Sequence, residues 1–148
     1  TVHDRLVTLL GDALFGVLRA SDPIPHYRLS GGSKLGGRTM KSRWGKQITQ
    51  ALEGVDELIV DLRSGTYQQL GRVKDAVTVR VESVQDDGSR KVVSHFNKHY
   101  KGLLARELAL SPADAYSAAD VAAIARAAGM TVEEPGPGSS ELTLVVKR

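Results

Sequence analysis

A mixed α and β fold, a single domain built on a central mixed sheet flanked by helices, is what this sequence predicts. Three observations carry it. Val77, Val79 and Val81 alternate with Thr78, Arg80 and Glu82 ahead of a QDDGS turn and a KVVSHF return, which is the two-residue period and turn chemistry of a β-hairpin. The alanine-rich stretch from Ala118 to Ala128 stops at Gly129, as a helix does. Glu57 to Leu62 (ELIVDL) is a short, almost wholly apolar run of strand length, which suggests a central strand covered on both faces. At 148 residues with 41% hydrophobic content, residues 1–148 fit one domain with a modest core.

The remaining elements follow in order. From His3 to Leu18, Leu6, Val7, Leu10, Ala13, Leu14, Val17 and Leu18 recur at helical spacing and predict a first helix. Ser21-Asp22-Pro23-Ile24-Pro25 ends it, because a proline biases its predecessor away from the α region. HYRLSGGSKLGGR carries four glycines and reads as a loop. A second helix is expected from Thr39, with Met40, Trp44, Ile48, Ala51 and Leu52 on one face and Gly54 at its end. Ser64-Gly65-Thr66 breaks the apolar strand, and Tyr67 to Leu70 reads as a short helical turn. Asn97 is placed to cap a helix that buries Tyr100, Leu103, Leu104 and Leu108. Ser111-Pro112-Ala113-Asp114 resembles a cap with proline at the first helical position. Thr131 to Glu133, a PGPGSS connection and Leu142 to Lys147 close the chain as a hairpin. That connection is too short for a domain linker, and no internal repeat is present.

Charge is segregated. Between Asp22 and Glu53 there is no acid, yet Arg28, Lys34, Arg38, Lys41, Arg43 and Lys46 fall there; between Asp87 and Glu107 the bases are Arg90, Lys91, Lys98, Lys101 and Arg106. These two segments hold 11 of the 20 Lys and Arg residues. From Pro112 to Glu141 the balance reverses, so the net charge of +3 hides opposed local fields. Partners of the basic segments should be anionic, although bases of this kind also serve simply to solvate helix faces. The interleaved aromatics Tyr27, Trp44, Phe96 and Tyr100 favour the first reading.

Composition excludes several chemistries. With no cysteine there are no disulfides, zinc-cysteine sites or thiol nucleophiles, which fits a reducing cytoplasm. No apolar run approaches the roughly 20 residues of a membrane helix, so no membrane partner is expected. TVHDRL has neither the basic nor the apolar region of a signal peptide; without an initiator Met, the chain reads as a trimmed or partial one. His95 and His99 are separated by a strand-to-helix junction that spoils the geometry of a metal pair. No metal or cofactor is expected, and nothing selects a Ser/His/Asp arrangement among the residues available.

Three segments are candidate sites. In KVVSHFNKHYKGLLAR, Lys98 and Lys101 fall in the first helical turn, where they oppose the helix dipole unless an anion joins them, with Arg106 about two turns from His99. In VDLRSGTY, a strand ending in Arg63-Ser64-Gly65-Thr66 with Tyr67 beyond puts exposed amides where α/β sheets bind ligands, but it lacks a phosphate-loop pattern. In PHYRLSGGSKLGG, Tyr27 and Arg28 precede a flexible glycine loop able to fold over an anion held by the Arg28 guanidinium.

Taken together, LFGVLRASDPIPHYRLSGGS, a Trp-containing helix, ELIVDLRSGTY and KVVSHFNKHYKGLLAR resemble the C-terminal half of the YaaA family of bacterial peroxide-stress proteins. The family's Tyr-Arg-Leu motif falls on Tyr27, Arg28 and Leu29, its strand-end Ser and Tyr on Ser64 and Tyr67, and its Lys, basic residue and Gly on Lys98, Lys101 and Gly102. His26 stands where Pro is common, Ser30 where an acid is, and Lys101 where Arg is. The resemblance implies a cytoplasmic protein that limits iron-dependent peroxide damage and binds DNA or another polyanion through a basic cleft. It also implies that the family's N-terminal half, with strands of the same sheet, is absent, so that an unpaired edge would favour a dimer or require the missing segment. On this reading Arg28, Lys34, Arg38, Lys41, Lys98 and Lys101 contact phosphates while Tyr27 or Trp44 stacks on a base. The competing expectation is an enzyme or binder for a phosphorylated or carboxylated small molecule, with Arg28, Ser64, Tyr67 and Lys98 converging in one pocket.

Overall fold

The computed structural model describes residues 8–147. It is a mixed α and β structure in which the chain divides into two compact units, residues 8–56 with 63–74 and residues 57–62 with 75–147.

The first unit opens with a hairpin, β1 (Leu9–Asp12) and β2 (Gly16–Arg19), paired antiparallel with Asp12 opposite Gly16. This corrects the expected His3 to Leu18 helix over its described part; residues 3–7 lie outside the described residues. The cause is local. Asp12 Oδ1 accepts from the amides of Leu14 (2.7 Å) and Phe15 (2.8 Å), and Gly16 has φ of +80°. A carboxylate that caps its own following amides competes with the helix, and a left-handed residue ends it. The helical spacing was incidental: Leu10 and Leu14, both assigned to the buried face, are exposed.

The glycine loop contains a small ladder, β3 (Lys34–Leu35) with β4 (Arg38–Thr39), closed by Gly36 and Gly37, both at positive φ. That is the two-residue turn that suits strand twist. The expected second helix is two, α1 (Met40–Trp44) and α2 (Gln47–Glu53). Thr39 caps α1 by accepting from the Ser42 amide, and Gly45 at φ of 56° and ψ of −118° interrupts the helix. Met40, Ile48 and Leu52 are buried as the face requires, Trp44 partly so, while Ala51 is exposed. The short helix α3 (Gly65–Gln68) completes the unit.

The second unit is built on β6 (Val77–Val84), preceded by β5 (Val60–Asp61) and followed by β7 (Arg90–Val92). The helices α4 (Asn97–Leu110) and α5 (Ala118–Ala127) come next, then β8 (Thr131–Glu133) and β9 (Glu141–Lys147). The five strands form a mixed sheet in the order β5, β6, β9, β8, with β7 pairing antiparallel to the far half of β6. Strand β6 is parallel to β5 and β9, and β8 is antiparallel to β9. Val77, Val79, Val81, Leu142, Leu144 and Val132 share one face, against which Leu104 of α4 and Val121, Ala122 and Ala125 of α5 pack.

ELIVDL is not a central strand. Among the described residues β5 has two residues and pairs only with β6, because parallel pairing begins where Val60 meets Val77; an edge strand results. The Val77 hairpin forms as expected, closed by Gln85 N to Ser89 O (2.8 Å), although its return ends at Val92 instead of Phe96. The C-terminal hairpin also forms. Asn97 is the first residue of α4 and not its cap; Phe96 holds that position without a side-chain bond. Helix α5 is capped by Ser117, whose hydroxyl accepts from the Asp120 amide (3.2 Å), and not by Ser111-Pro112, which lies in an irregular segment.

Candidate functional site

In the first unit the hairpin turn organises a cluster of aromatic and polar side chains. Asp12 Oδ1 is held by the two amides already described, which leaves Oδ2 to accept from the Tyr27 hydroxyl. Burial by itself would raise the Asp12 carboxyl. The bonds from Tyr27, Phe15 and Leu14 outweigh that and hold it below the usual carboxylate range. The same Asp12 bond, with desolvation, pushes the Tyr27 hydroxyl up to about 12. Phe15 meets the Tyr27 ring edge-on at 5.8 Å. Trp44 donates from Nε1 to the Ala13 carbonyl at 2.8 Å, and its ring lies against Gly16, where a Cβ would sit 3.0 Å from Cη2.

Tyr67 belongs to the same cluster. It is close enough to Tyr27 to contribute to that hydroxyl's upward shift, and its ring lies beside two glycines: a Cβ on Gly31 would be 3.4 Å from Cε1 and one on Gly11 3.9 Å from Cδ1. The bareness of Gly11 and Gly31 is what lets β1 and the glycine loop approach α3. Arg63, which was not selected from sequence, runs beneath Gly11 and donates to the carbonyls of Tyr67 (3.3 Å) and Gly71 (2.7 Å), fixing the turn that presents Tyr67. Ser64 is the N-cap residue of α3 and makes no side-chain cap bond.

The bases of this unit divide in two. Arg28, Lys34 and Lys41 are exposed. Arg38 donates to the carbonyl and hydroxyl of Ser42 (3.0 and 3.3 Å), and Arg43 to the Leu35 carbonyl from Nε (2.8 Å) and Nη2. Those two guanidiniums tie the β3–β4 loop to α1. An open depression of about 590 Å³ runs along Ile24, Pro25, His26, Tyr27, Arg28 and Leu29.

In the second unit, Lys98 is exposed in the first turn of α4, which contains no acid. Lys101 is half-buried; desolvation lowers its ammonium below the usual lysine range, against the opposing fields of Asp61 and Glu141. Arg106 is exposed and paired with Glu107 at 2.7 Å, a contact worth little in water. Tyr27, Arg28, Lys34, Arg38, Lys41, Ser64 and Tyr67 thus fall in one unit and Lys98, Lys101 and Arg106 in the other. Among the described residues no group of three His, Asp or Glu side chains is placed to hold a metal, and no helix is long and apolar enough to cross a membrane.

Asp12 is the residue that sequence reasoning missed, having absorbed it into a helix. The signal was an Asp four positions before a Gly, the pattern of a carboxylate that caps a turn closed by a left-handed glycine.

Comparison with known proteins places this arrangement. A UPF0246 protein of Corynebacterium glutamicum is 67% identical over 142 residues, covering 93% of this chain and 58% of the relative. A UPF0246 protein of Corynebacterium efficiens is 69% identical over the same coverage, and one from Streptomyces coelicolor is 34% identical over 87% of this chain and 52% of its own length. The chain therefore spans just over half the length of these relatives. The family model described as peroxide stress protein YaaA matches residues 5–134, and the chain belongs to that family.

Proposed function

We propose that the chain acts in the bacterial cytoplasm in defence against peroxide, binding DNA or another polyanion through its exposed bases and limiting iron-dependent damage there. The observation that carries this reading is that Arg28, Lys34, Lys41, Lys46 and Lys98 are all exposed and lie in segments without acids. Bases on such a surface gain by neutralising phosphates and releasing counterions, with no need for a base sequence. Arg38, Lys101 and Arg106 are further bases of the same acid-free segments, and Tyr27 is the aromatic next to Arg28 in sequence.

The test is affinity for duplex and single-stranded DNA against salt. On logarithmic axes binding should fall linearly, with a slope reflecting roughly four to six phosphates. Replacing Arg28 and Lys34 by Ala should make the slope shallower, as should replacing Lys98. Binding that is absent at low salt, or indifferent to salt, overturns the reading.

A second reading is favoured by the open depression lined by Tyr27 and Arg28, in the unit that also holds Ser64 and Tyr67. It is an enzyme or binder for a phosphorylated or carboxylated small molecule. Arg28→Lys discriminates the two: it keeps the charge that a polyanion needs but loses the planar two-point fork that a single phosphate or carboxylate uses.

A further inference from the structure

We propose that Tyr27 is a redox-active tyrosine, with Asp12 as its proton acceptor and Tyr67 and Trp44 as neighbouring relays that hand an oxidising equivalent on to it, so that this cluster intercepts one-electron oxidants formed from peroxide. The inference rests on membership of a peroxide-stress family and on the geometry of the first unit, and it does not depend on polyanion binding.

The chain has no cysteine and two methionines, of which Met40 is buried. The thiol chemistry by which proteins usually meet peroxide is closed to it. Its readily oxidised side chains are four tyrosines and one tryptophan. Three of those five, Tyr27, Trp44 and Tyr67, gather around the turn between β1 and β2. Tyr100 and Tyr116 belong to the other unit.

Tyr27 differs from the rest in how its proton is held: the Tyr116 hydroxyl also donates to a carboxylate, that of Asp114, but at 3.4 Å and on an exposed surface. A phenol that loses an electron must shed its proton or become a high-energy radical cation. The Tyr27 hydroxyl already donates to Asp12 Oδ2, and the amides of Leu14 and Phe15 fix that carboxylate through its other oxygen. A charge-assisted bond of this kind holds donor and acceptor in place before the electron leaves. With hydroxyl radical, produced from peroxide and ferrous iron, Tyr27 gives up one electron and the radical becomes hydroxide. The O–H bond breaks, its proton passes to Asp12 and from there to that hydroxide, giving water. A neutral tyrosyl radical remains, and Asp12 is again a carboxylate. A one-electron reductant such as ascorbate, with one proton from water, restores the phenol. Tyr67 and Trp44 lie close to the same turn, so that when one of them is struck first it takes an electron from Tyr27, whose proton passes to Asp12, and is itself restored with one proton from water.

The experiment treats the chain with azide radical, a selective one-electron oxidant, and reads the tyrosyl radical by freeze-quench electron paramagnetic resonance and the oxidised residues by peptide mass mapping. The expected result is that Tyr27→Phe removes most of the tyrosyl signal, Asp12→Asn slows its formation, and Tyr116→Phe changes nothing. Attack governed by exposure predicts the reverse order, since Tyr116 is 80% exposed while Tyr27 is partly buried. Loss of signal chiefly in Tyr116→Phe, or indifference to Asp12→Asn, overturns the proposal. Should Tyr27→Phe fail to fold, the mass map of the unaltered chain decides, because oxidation concentrated on Tyr116 instead of Tyr27 has the same force. Salt-dependent DNA binding is measured on the same variants: if DNA is not bound while the Tyr27 radical forms, the polyanion reading fails and this one stands.

Discussion

The two compact units are held together by different physics. In the sheet unit the interior is an apolar cluster in which alternate residues of β6 and β9 meet Leu104 and the alanine-rich face of α5. In the hairpin unit the buried apolar residues are few, chiefly Ala13, Met40, Ile48, Leu52 and Leu70. Its loops are closed by side chains reaching main-chain carbonyls: Trp44 to Ala13, Arg43 to Leu35, Arg38 to Ser42 and Arg63 to Gly71. Area burial stabilises the first at about 25 cal/mol per Å², whereas each hydrogen bond nets about 1 kcal/mol in the second. The difference teaches that one chain closes its units by different means: apolar area secures the sheet unit, while the loop-rich hairpin unit, held by side-chain bonds, carries Tyr27, Tyr67, exposed bases and a fixed carboxylate.

The comparison breaks most visibly in the core of the sheet unit. Leu104 is 1% exposed and belongs to the cluster between α4, α5 and the sheet. Leu104→Ala should lower stability by about 2–5 kcal/mol, the range for a buried leucine whose cavity does not collapse. Urea denaturation measures it. A loss below about 1 kcal/mol would mean that the cluster does not carry the stability assigned to it here.

A smaller effect is expected at the tightest contact in the hairpin unit. A Cβ on Gly71 would fall 2.5 Å from Ile48 Cγ2, 2.6 Å from its Cβ and 2.9 Å from the Thr49 amide nitrogen. The clash includes a branched carbon and backbone, neither of which moves cheaply. Gly71→Ala should therefore cost about 1–3 kcal/mol as overpacking, in contrast to the usual small gain from replacing a glycine. Adding Ile48→Val should not restore it, because the Ile48 Cβ and the Thr49 nitrogen remain. Thermal melts of the single and double variants check this.

The same contrast explains what could be read from the sequence. Strand β6 was legible because Val77, Val79 and Val81 bury one face, and period two survives any detail of the surroundings. The closing hairpin and α5 were legible for similar reasons. The first hairpin was not: Leu10, Ala13, Leu14 and Val17 have helical spacing, and only the competing bonds of Asp12 and the left-handed Gly16 decide against it. The single helix expected after Thr39 failed at Gly45 for a related reason. As to the site, Tyr27 and Tyr67 were both marked from sequence, but Asp12 links Tyr27 to the hairpin through a contact 15 residues away, and Arg63 braces Tyr67 by bonding the carbonyls of a nearby turn, and periodicity carries no information about either.

The smallest effect sharpens the comparison by isolating one bond of the hairpin unit. The folded-state pKa of Asp12 is depressed, so its contribution is present above the unfolded value near 3.9 and is lost as pH falls through the lower folded value. The folded-state pKa of Tyr27 is raised to about 12, so its contribution is present below the unfolded value near 10 and is lost as pH rises toward the folded one. The alkaline arm reports the O–H to carboxylate contact, and the acid arm reports it together with the amide bonds from Phe15 and Leu14. Asp12→Asn should accordingly flatten the decline in melting temperature below about pH 4 and also the decline above about pH 10, with a loss at neutral pH of no more than about 1 kcal/mol, since the site is partly solvated. Asp87, Asp120 and Glu133 are depressed as well, so an acid slope persists in the variant, whereas the part of the alkaline slope due to Tyr27 should vanish. Tyr27→Phe should reproduce that alkaline change, and combining it with Asp12→Asn should flatten the alkaline arm no further. An Asp12→Asn chain that keeps the full alkaline slope would show that the Tyr27 hydroxyl is not held by Asp12 in solution.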